Sequence, residues 1–283
     1  MIVLDVHMRY IFRKPDLDTV TAAVLLGYRS GLPLCCVSQD AQPSDLADPT
    51  VICLECGGSG QLNLGNFDHH DPFEAFPPAC VQAAALTDPT GSRTRDIIAY
   101  VAAVDTGSQL CPPARAGLTL SAVFSGMRLA VSDLIEQFQR GADLVAAMIE
   151  RQASPWDVPR QLVDPAWIMA KRLARRRTDS MKGQVERFVT SHGRLGMFLR
   201  VGYPGAHGLM RRLGADISVA SGLLTSNHYS ISGPAPLMNL LTQKLNAVEA
   251  GWGGPKPGGI IGSPLRGSDL DDATIRAFVC RFG

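Results

Sequence analysis

The 283-residue chain has almost no net charge: 27 Lys and Arg stand against 26 Asp and Glu, a formal balance of +1. Such a chain offers no broad basic track, which excludes long nucleic acid as the expected partner and leaves any anion to a local site. It also lacks a run of roughly 20 apolar residues, the length needed to cross a bilayer, so no membrane is expected. The opening "MIVLDVHMRYIF" carries Asp5 and lacks the basic segment and long apolar stretch of a secretory signal, which points to the cytoplasm. Aromatic residues are scarce, at 6%, so an extended stacking platform for single strands is not expected. Trp252, beside a glycine-rich stretch, either stacks on one base or simply packs. Seven cysteines is an odd number, and settings such as "LPLCCVS" read as reduced core thiols rather than a disulfide framework. Cys53 and Cys56 form a C-x-x-C with no second pair at zinc-site spacing, so that pair reads as structural. No repeat of solenoid type is present.

What the chain does have is alternation. The first half runs strand-like and helix-like by turns, the pattern of an α/β fold whose mostly parallel sheet has helices on both faces. "RYIF" predicts the first strand. "TVTAAVLLGYRSG" predicts a helix capped by Asp18 or Thr19 at its start and by Gly31 at its end. "LPLCCVS" and "TVICLE" predict the next two strands. Pro77 and Pro78 introduce a helix through "ACVQAAALT", and "SRTRDIIAYVAAV" makes another that ends in "DTGS". From about 128 to 190 the sequence turns helical and charged; its basic cluster, Lys171 to Arg177, reads as a solvated helix face. The last hundred residues restart the alternation. The expected organisation is a first domain over 1–125, a helical connector over 126–190 and a smaller α/β domain over 191–283.

In a parallel sheet the carboxyl ends of the strands share one edge, and ligands bind in the crevice there. Four polar clusters fall at that edge: "PDLD" (Asp16, Asp18), Glu55, "DHH" (Asp68, His69, His70) and Asp105 of "VDTG". Carboxylates packed so densely repel one another and raise each other's pKa unless a cation neutralises them. Oxygen ligands with imidazole and no thiolate suit Mn²⁺ or Mg²⁺. Two such ions roughly 3.5–4 Å apart suit in-line transfer of a phosphoryl group to water.

"PDLD", an acid after an apolar strand, "FDHH" and "VDTG", in this order and over roughly residues 10 to 108, resemble the motifs of the DHH phosphoesterase superfamily. Manganese pyrophosphatases, exopolyphosphatases and nano-RNases are among its members. The resemblance implies a metal-dependent phosphohydrolase that takes a small phosphorylated substrate, such as a short oligonucleotide, a nucleotide phosphate or polyphosphate, in a cleft between its two domains. It further implies that Asp16 binds one metal ion and Asp18 another, that Glu55 bridges them, and that His69 and Asp105 complete the second. His70 would meet the substrate phosphate, with Asp68 fixing an imidazole by a hydrogen bond. The C-terminal stretch resembles the family's associated domain, whose glycine-rich loop touches substrate. Here that loop is "GWGGPKPGGIIGSPLRGSD", with Gly253, Gly254, Gly258 and Gly259 able to form an anion nest and Lys256 and Arg266 as cations. A homodimer is left open.

Two positions depart from the family pattern. Phe12 stands where the family usually has a histidine, and a phenyl ring cannot bind metal. Glu55 replaces an aspartate and carries its carboxylate about 1.5 Å further out. His7 lies on the wrong side of the first strand to replace the missing imidazole by simple register. The expectation is therefore two ions with one as the alternative. The competing function is a nucleotide- or phosphate-binding protein on the same fold without turnover.

Overall fold

The computed structural model describes residues 8–71, 74–108, 113–114, 116–201, 205–222, 227–254 and 259–283. His7, Lys256 and Gly258 lie outside the described residues. The chain divides into two compact units, Met1–Lys171 and Arg172–Gly283.

The first unit is built on four short parallel strands: β1 (Arg9–Phe12), β2 (Leu34–Cys36), β3 (Val51–Leu54) and β4 (Asn66–Phe67), in the order β2-β1-β3-β4. Successive side chains on a strand point to opposite faces. Tyr10 and Phe12 of β1 and Ile52 and Leu54 of β3 accordingly enter the large core, while Ile11, Val51 and Cys53 enter a small one with Ala41 and Cys56. The large core is closed by α1 (Leu17–Leu25), α3 (Ala79–Thr87), α4 (Ser92–Asp105), α5 (Leu120–Ala130) and α6 (Leu134–Glu150). The opposite face carries the short α2 (Pro43–Leu46), whose Leu46 packs on the small core. Helices thus lie on both faces, very unequally. β1 runs next to both β2 and β3, so the chain leaves the first strand in two directions, the topological switch point at which α/β sheets open a crevice beyond their carboxyl ends.

Helix α1 begins two residues before the predicted cap. Asp16, not Asp18 or Thr19, is its N-cap, accepting a hydrogen bond from the Thr19 N–H. That shift turns Asp18 into a buried residue of the first turn. The helix stops at Leu25, and Gly27, with φ +84°, takes the left-handed position expected of Gly31.

The second unit holds a five-stranded sheet, ordered β5 (Glu186–Val189), β6 (Leu195–Arg200), β7 (Ile217–Ser221), β8 (Tyr229–Ser232) and β9 (Ile260–Gly262). Only β6 and β7 pair in parallel. One face packs under α9 (Ala235–Asn246) and α10 (Asp272–Phe282), the other under α8 (Ala206–Arg212). β5 falls inside the stretch read as helical, because it is an edge strand with only Phe188 buried and so shows no alternation. The boundary between the units falls within α7 (Pro165–Ser180), whose basic cluster is exposed, with Arg175 paired to Asp179 one turn on. No helix among the described residues is long and apolar enough to cross a membrane.

Candidate functional site

Beyond the carboxyl ends of β1, β3 and β4 the chain gathers its acids. One carboxylate oxygen from each of Asp18, Glu55 and Asp105 and one ring nitrogen of His69 lie within 4.8 Å of one another. Glu55, His69 and His70 make a second, overlapping group. Each arrives by a different route: Asp18 from the first turn of α1, Glu55 one residue after β3, His69 two after β4, and Asp105 as the last residue of α4. Asp105 is therefore a helix-terminal residue rather than part of the turn that Gly107 makes.

Asp18 is fully enclosed and held from outside its own helix. Its two oxygens accept the backbone N–H groups of Ala79 (2.7 Å) and Cys80 (2.9 Å), the first residues of α3. A carboxylate oxygen has two lone pairs, so these bonds leave capacity for a cation. Helix N-termini favour negative charge, which is why an acid is tolerated at 1% exposure here. Glu55 is equally enclosed, at 4%, and its backbone sits in the left-handed region with φ +52°. For a residue other than glycine that conformation is uncommon and gathers at functional sites. Its Oε1 lies 3.1 Å from His69 Nε2, and its Oε2 accepts the Thr19 hydroxyl.

Thr19, which the sequence offers only as a cap candidate, is the link between Asp16 and Glu55. Its Oγ1 is 3.0 Å from Asp16 Oδ1 and also meets Glu55, and it is wholly buried. The one signal of this in the sequence is its position directly after "PDLD". Asp16 itself stands outside the tight group and is partly exposed, with Lys14 Nζ 3.8 Å from its Oδ2.

Asp68 works on the neighbouring imidazole. Its Oδ1 is 2.9 Å from His70 Nδ1 and also accepts the His70 N–H, while its Oδ2 accepts the Gly57 N–H at 2.9 Å. Gln82 of α3 adds a bond to the Asp68 carbonyl at 3.0 Å, another contact the sequence did not announce. His70 is thereby fixed in orientation by Nδ1 and left exposed at the rim. The loop that brings Gly57 into place is the "CGGSG" run, where Gly58 has φ +74° and a Cβ would come within 2.7 Å of the Asn66 side chain.

The electrostatics are those of an acid cluster short of positive charge. Burial, then the charges of Asp16 and Asp18, push Glu55 well above the usual carboxylate range. Burial likewise raises Asp18 to about 6 and Asp105 to about 7, the neighbouring carboxylates adding to both. Burial lowers His69 to about 4, so the imidazole is neutral and can ligate. Asp68 moves the other way, because hydrogen bonds from the His70 ring and from two backbone N–H groups outweigh the effect of burial. Asp16 is also lowered, with Lys14 and Thr19 overcoming burial.

Two buried atoms at the cluster, His69 Nδ1 and Asp105 Oδ2, have no hydrogen-bond partner among the described residues, although Asp105 Oδ2 stands 3.4 Å from His69 Nε2. Unpaired buried polar atoms are costly and ask for a missing partner. Three carboxylates, one neutral imidazole and no thiolate fit a hard divalent cation of the Mn²⁺ or Mg²⁺ kind. The position of the usual histidine offers nothing to it: Phe12 is 0% exposed, its ring stacked on Phe138 of α6 at 4.5 Å.

The glycine-rich stretch of the second unit is described in part. Gly253 bridges to Gly262 and is exposed. A Cβ on Gly254 would lie 2.3 Å from the Ile260 carbonyl oxygen, and one on Gly259 would lie 3.0 Å from that of Gly233. Arg266 is paired with Asp269 at 3.1 Å. Trp252 packs: it is 3% exposed, its Nε1 donating to Glu249 at 2.8 Å.

The fold is one already seen in a solved structure. It resembles the pGpG-specific phosphodiesterase PggH from Vibrio cholerae, with a TM-score of 0.54 at 16% identity over 96% of this chain and 98% of that one. The DHH domain of a protein described as a member of a ribosomal-protein family aligns at a TM-score of 0.48 and 13% identity over 90% and 82% of the two chains. An uncharacterized protein from Helicobacter pylori aligns at 0.34 and 10%, over 94% and 95%. No family model matches the sequence, and no curated protein matches it.

Proposed function

We propose that the chain is a divalent-metal-dependent phosphoesterase that hydrolyses a small phosphorylated nucleotide. The observation that carries this reading is the convergence of Asp18, Glu55, His69 and Asp105 within 4.8 Å, with His70 exposed beside them. The fold shared with a pGpG-specific phosphodiesterase supports the nucleotide class of substrate. A divalent ion on those four side chains would supply a Lewis acid for the phosphoryl oxygen and lower the pKa of a water. The residues do the remainder. His70, its Nδ1 held by Asp68, presents the other ring nitrogen to a phosphate oxygen. The α3 N-terminus keeps Asp18 in place through two N–H groups, so the carboxylate need not reorganise as charge develops.

The test is release of nucleotide or phosphate from pGpG, other dinucleotides, 3′-phosphoadenosine 5′-phosphate and polyphosphate, with Mn²⁺ and with EDTA. Turnover that requires Mn²⁺ and falls at least about 100-fold in Asp105→Ala is the expected outcome. Full activity in EDTA, or an Asp105→Ala variant as active as the parent, defeats the reading. The buried Phe12 favours a second one, a nucleotide-binding protein without turnover. Tight pGpG binding with no hydrolysis under any metal would select it.

A further inference from the structure

Two of the six positions in the expected ligand pattern stand apart from the four that converge. Phe12 is sealed in the core against Phe138, so no donor from that position faces the cluster. Asp16 lies outside the group that converges within 4.8 Å, and with no donor from position 12 its side of the site keeps only Asp16 and the shared Glu55, a thin set for a second divalent ion. What remains is Asp18, Glu55, His69 and Asp105, four donors around one point, with the unpaired Asp105 Oδ2 and His69 Nδ1 among their atoms. A divalent ion with oxygen ligands at about 2.0–2.2 Å fits one such set, and water or substrate completes its shell. On the side of Asp16 stands a cation the chain supplies itself, Lys14 Nζ, 3.8 Å from Asp16 Oδ2, on a side chain 61% exposed.

We infer that the centre takes a single divalent cation on Asp18, Glu55, His69 and Asp105, and that the Lys14 ammonium, seated on Asp16, replaces a second cation as the positive charge facing the substrate phosphate. The inference rests on the functional reading above and deepens it. An ammonium is a compact point charge able to meet a phosphate oxygen from a flexible stem, and it needs no ligand shell of its own. It carries one unit of charge instead of two, so it suits a substrate already oriented by His70 and one metal ion.

The experiment is a Mn²⁺ titration of the full chain, stripped with EDTA, read by calorimetry and by electron paramagnetic resonance. One mononuclear ion per chain is expected, retained in Asp16→Asn and lost in Asp105→Asn. Two ions per chain, or loss of the ion in Asp16→Asn, overturns the single-cation assignment while leaving a metal-dependent phosphoesterase intact. Absence of any Mn²⁺ binding overturns both. For the ammonium, inorganic phosphate is the probe, bound to the Mn²⁺-loaded protein. Lys14→Gln is expected to keep one ion and weaken phosphate by at least about tenfold, with Lys14→Arg recovering much of the loss. Unchanged phosphate affinity in Lys14→Gln removes Lys14 from the site.

Discussion

Thr19 shows how one buried hydroxyl can decide the state of two acids. It touches Asp16 and Glu55 at once and has no exposure to water that could replace it. Thr19→Val keeps the shape and removes both hydroxyl contacts, so it should lower stability by roughly 1–3 kcal/mol in the metal-free protein, the cost of leaving the buried Glu55 oxygen unpaired. Urea unfolding with and without the substitution measures it; equal midpoints would show that the hydroxyl holds nothing. Asp68 is the corresponding handle on His70. Asp68→Asn keeps an acceptor but removes the charge, and should reduce kcat by about 10- to 100-fold, as changes to groups that orient a functional imidazole do. The ion content should be unchanged, because Asp68 stands outside the four-donor group; loss of Mn²⁺ on this change would place it among the ligands instead.

The elements around the site were largely legible in the sequence. β1, β2, β3, α3 and α4 lie where the alternation, the apolar runs and the proline signals put them. The carboxylates and imidazoles of four motifs could also be placed at one edge, since three of the motifs follow parallel strands and the fourth ends a helix. What could not be read was contact across the chain. Nothing local to Asp18 says that α3, some 60 positions later, supplies its N–H partners, and nothing local to Phe12 says that Phe138 covers it. The edge strands β5 and β9 were missed for the opposite reason, having too little buried surface to leave a pattern. At this scale Gly58→Ala is the informative change. Its positive φ and the 2.7 Å approach to Asn66 should cost more than about 1 kcal/mol, and the loop that carries Gly57 to Asp68 should loosen with it. A melting temperature equal to the parent's would show that the loop tolerates a side chain.

Over the whole first unit the acid cluster sets how stability depends on pH. Asp105, raised to about 7, and Glu55, raised well above the usual range, are protonated in the folded protein where the unfolded chain has already ionised them. A raised carboxyl pKa means stability that is full below the unfolded value near 4 and is lost as pH climbs through the folded value. His69 works in the opposite sense, but only between about 4 and its unfolded value of 6.5. Above pH 6.5 the unfolded imidazole has only its last half proton to lose, worth about 0.4 kcal/mol, so the carboxylates dominate. The EDTA-treated protein should therefore melt several degrees lower at pH 8 than at pH 6.5, and Mn²⁺ should raise its melting temperature more at pH 8 than at pH 6.5. A metal-free melting temperature that rises over that interval would contradict the cluster's electrostatics.

The grip of α3 on Asp18 also gives the molecule a gauge of its own. Ala79 and Cys80 spend their amide hydrogens on an acid that would share its electrons with an arriving ion, so those two resonances should travel as it docks. A diamagnetic probe such as Mg²⁺ would let a spectroscopist follow loading from the start of a helix, without waiting for any product to form.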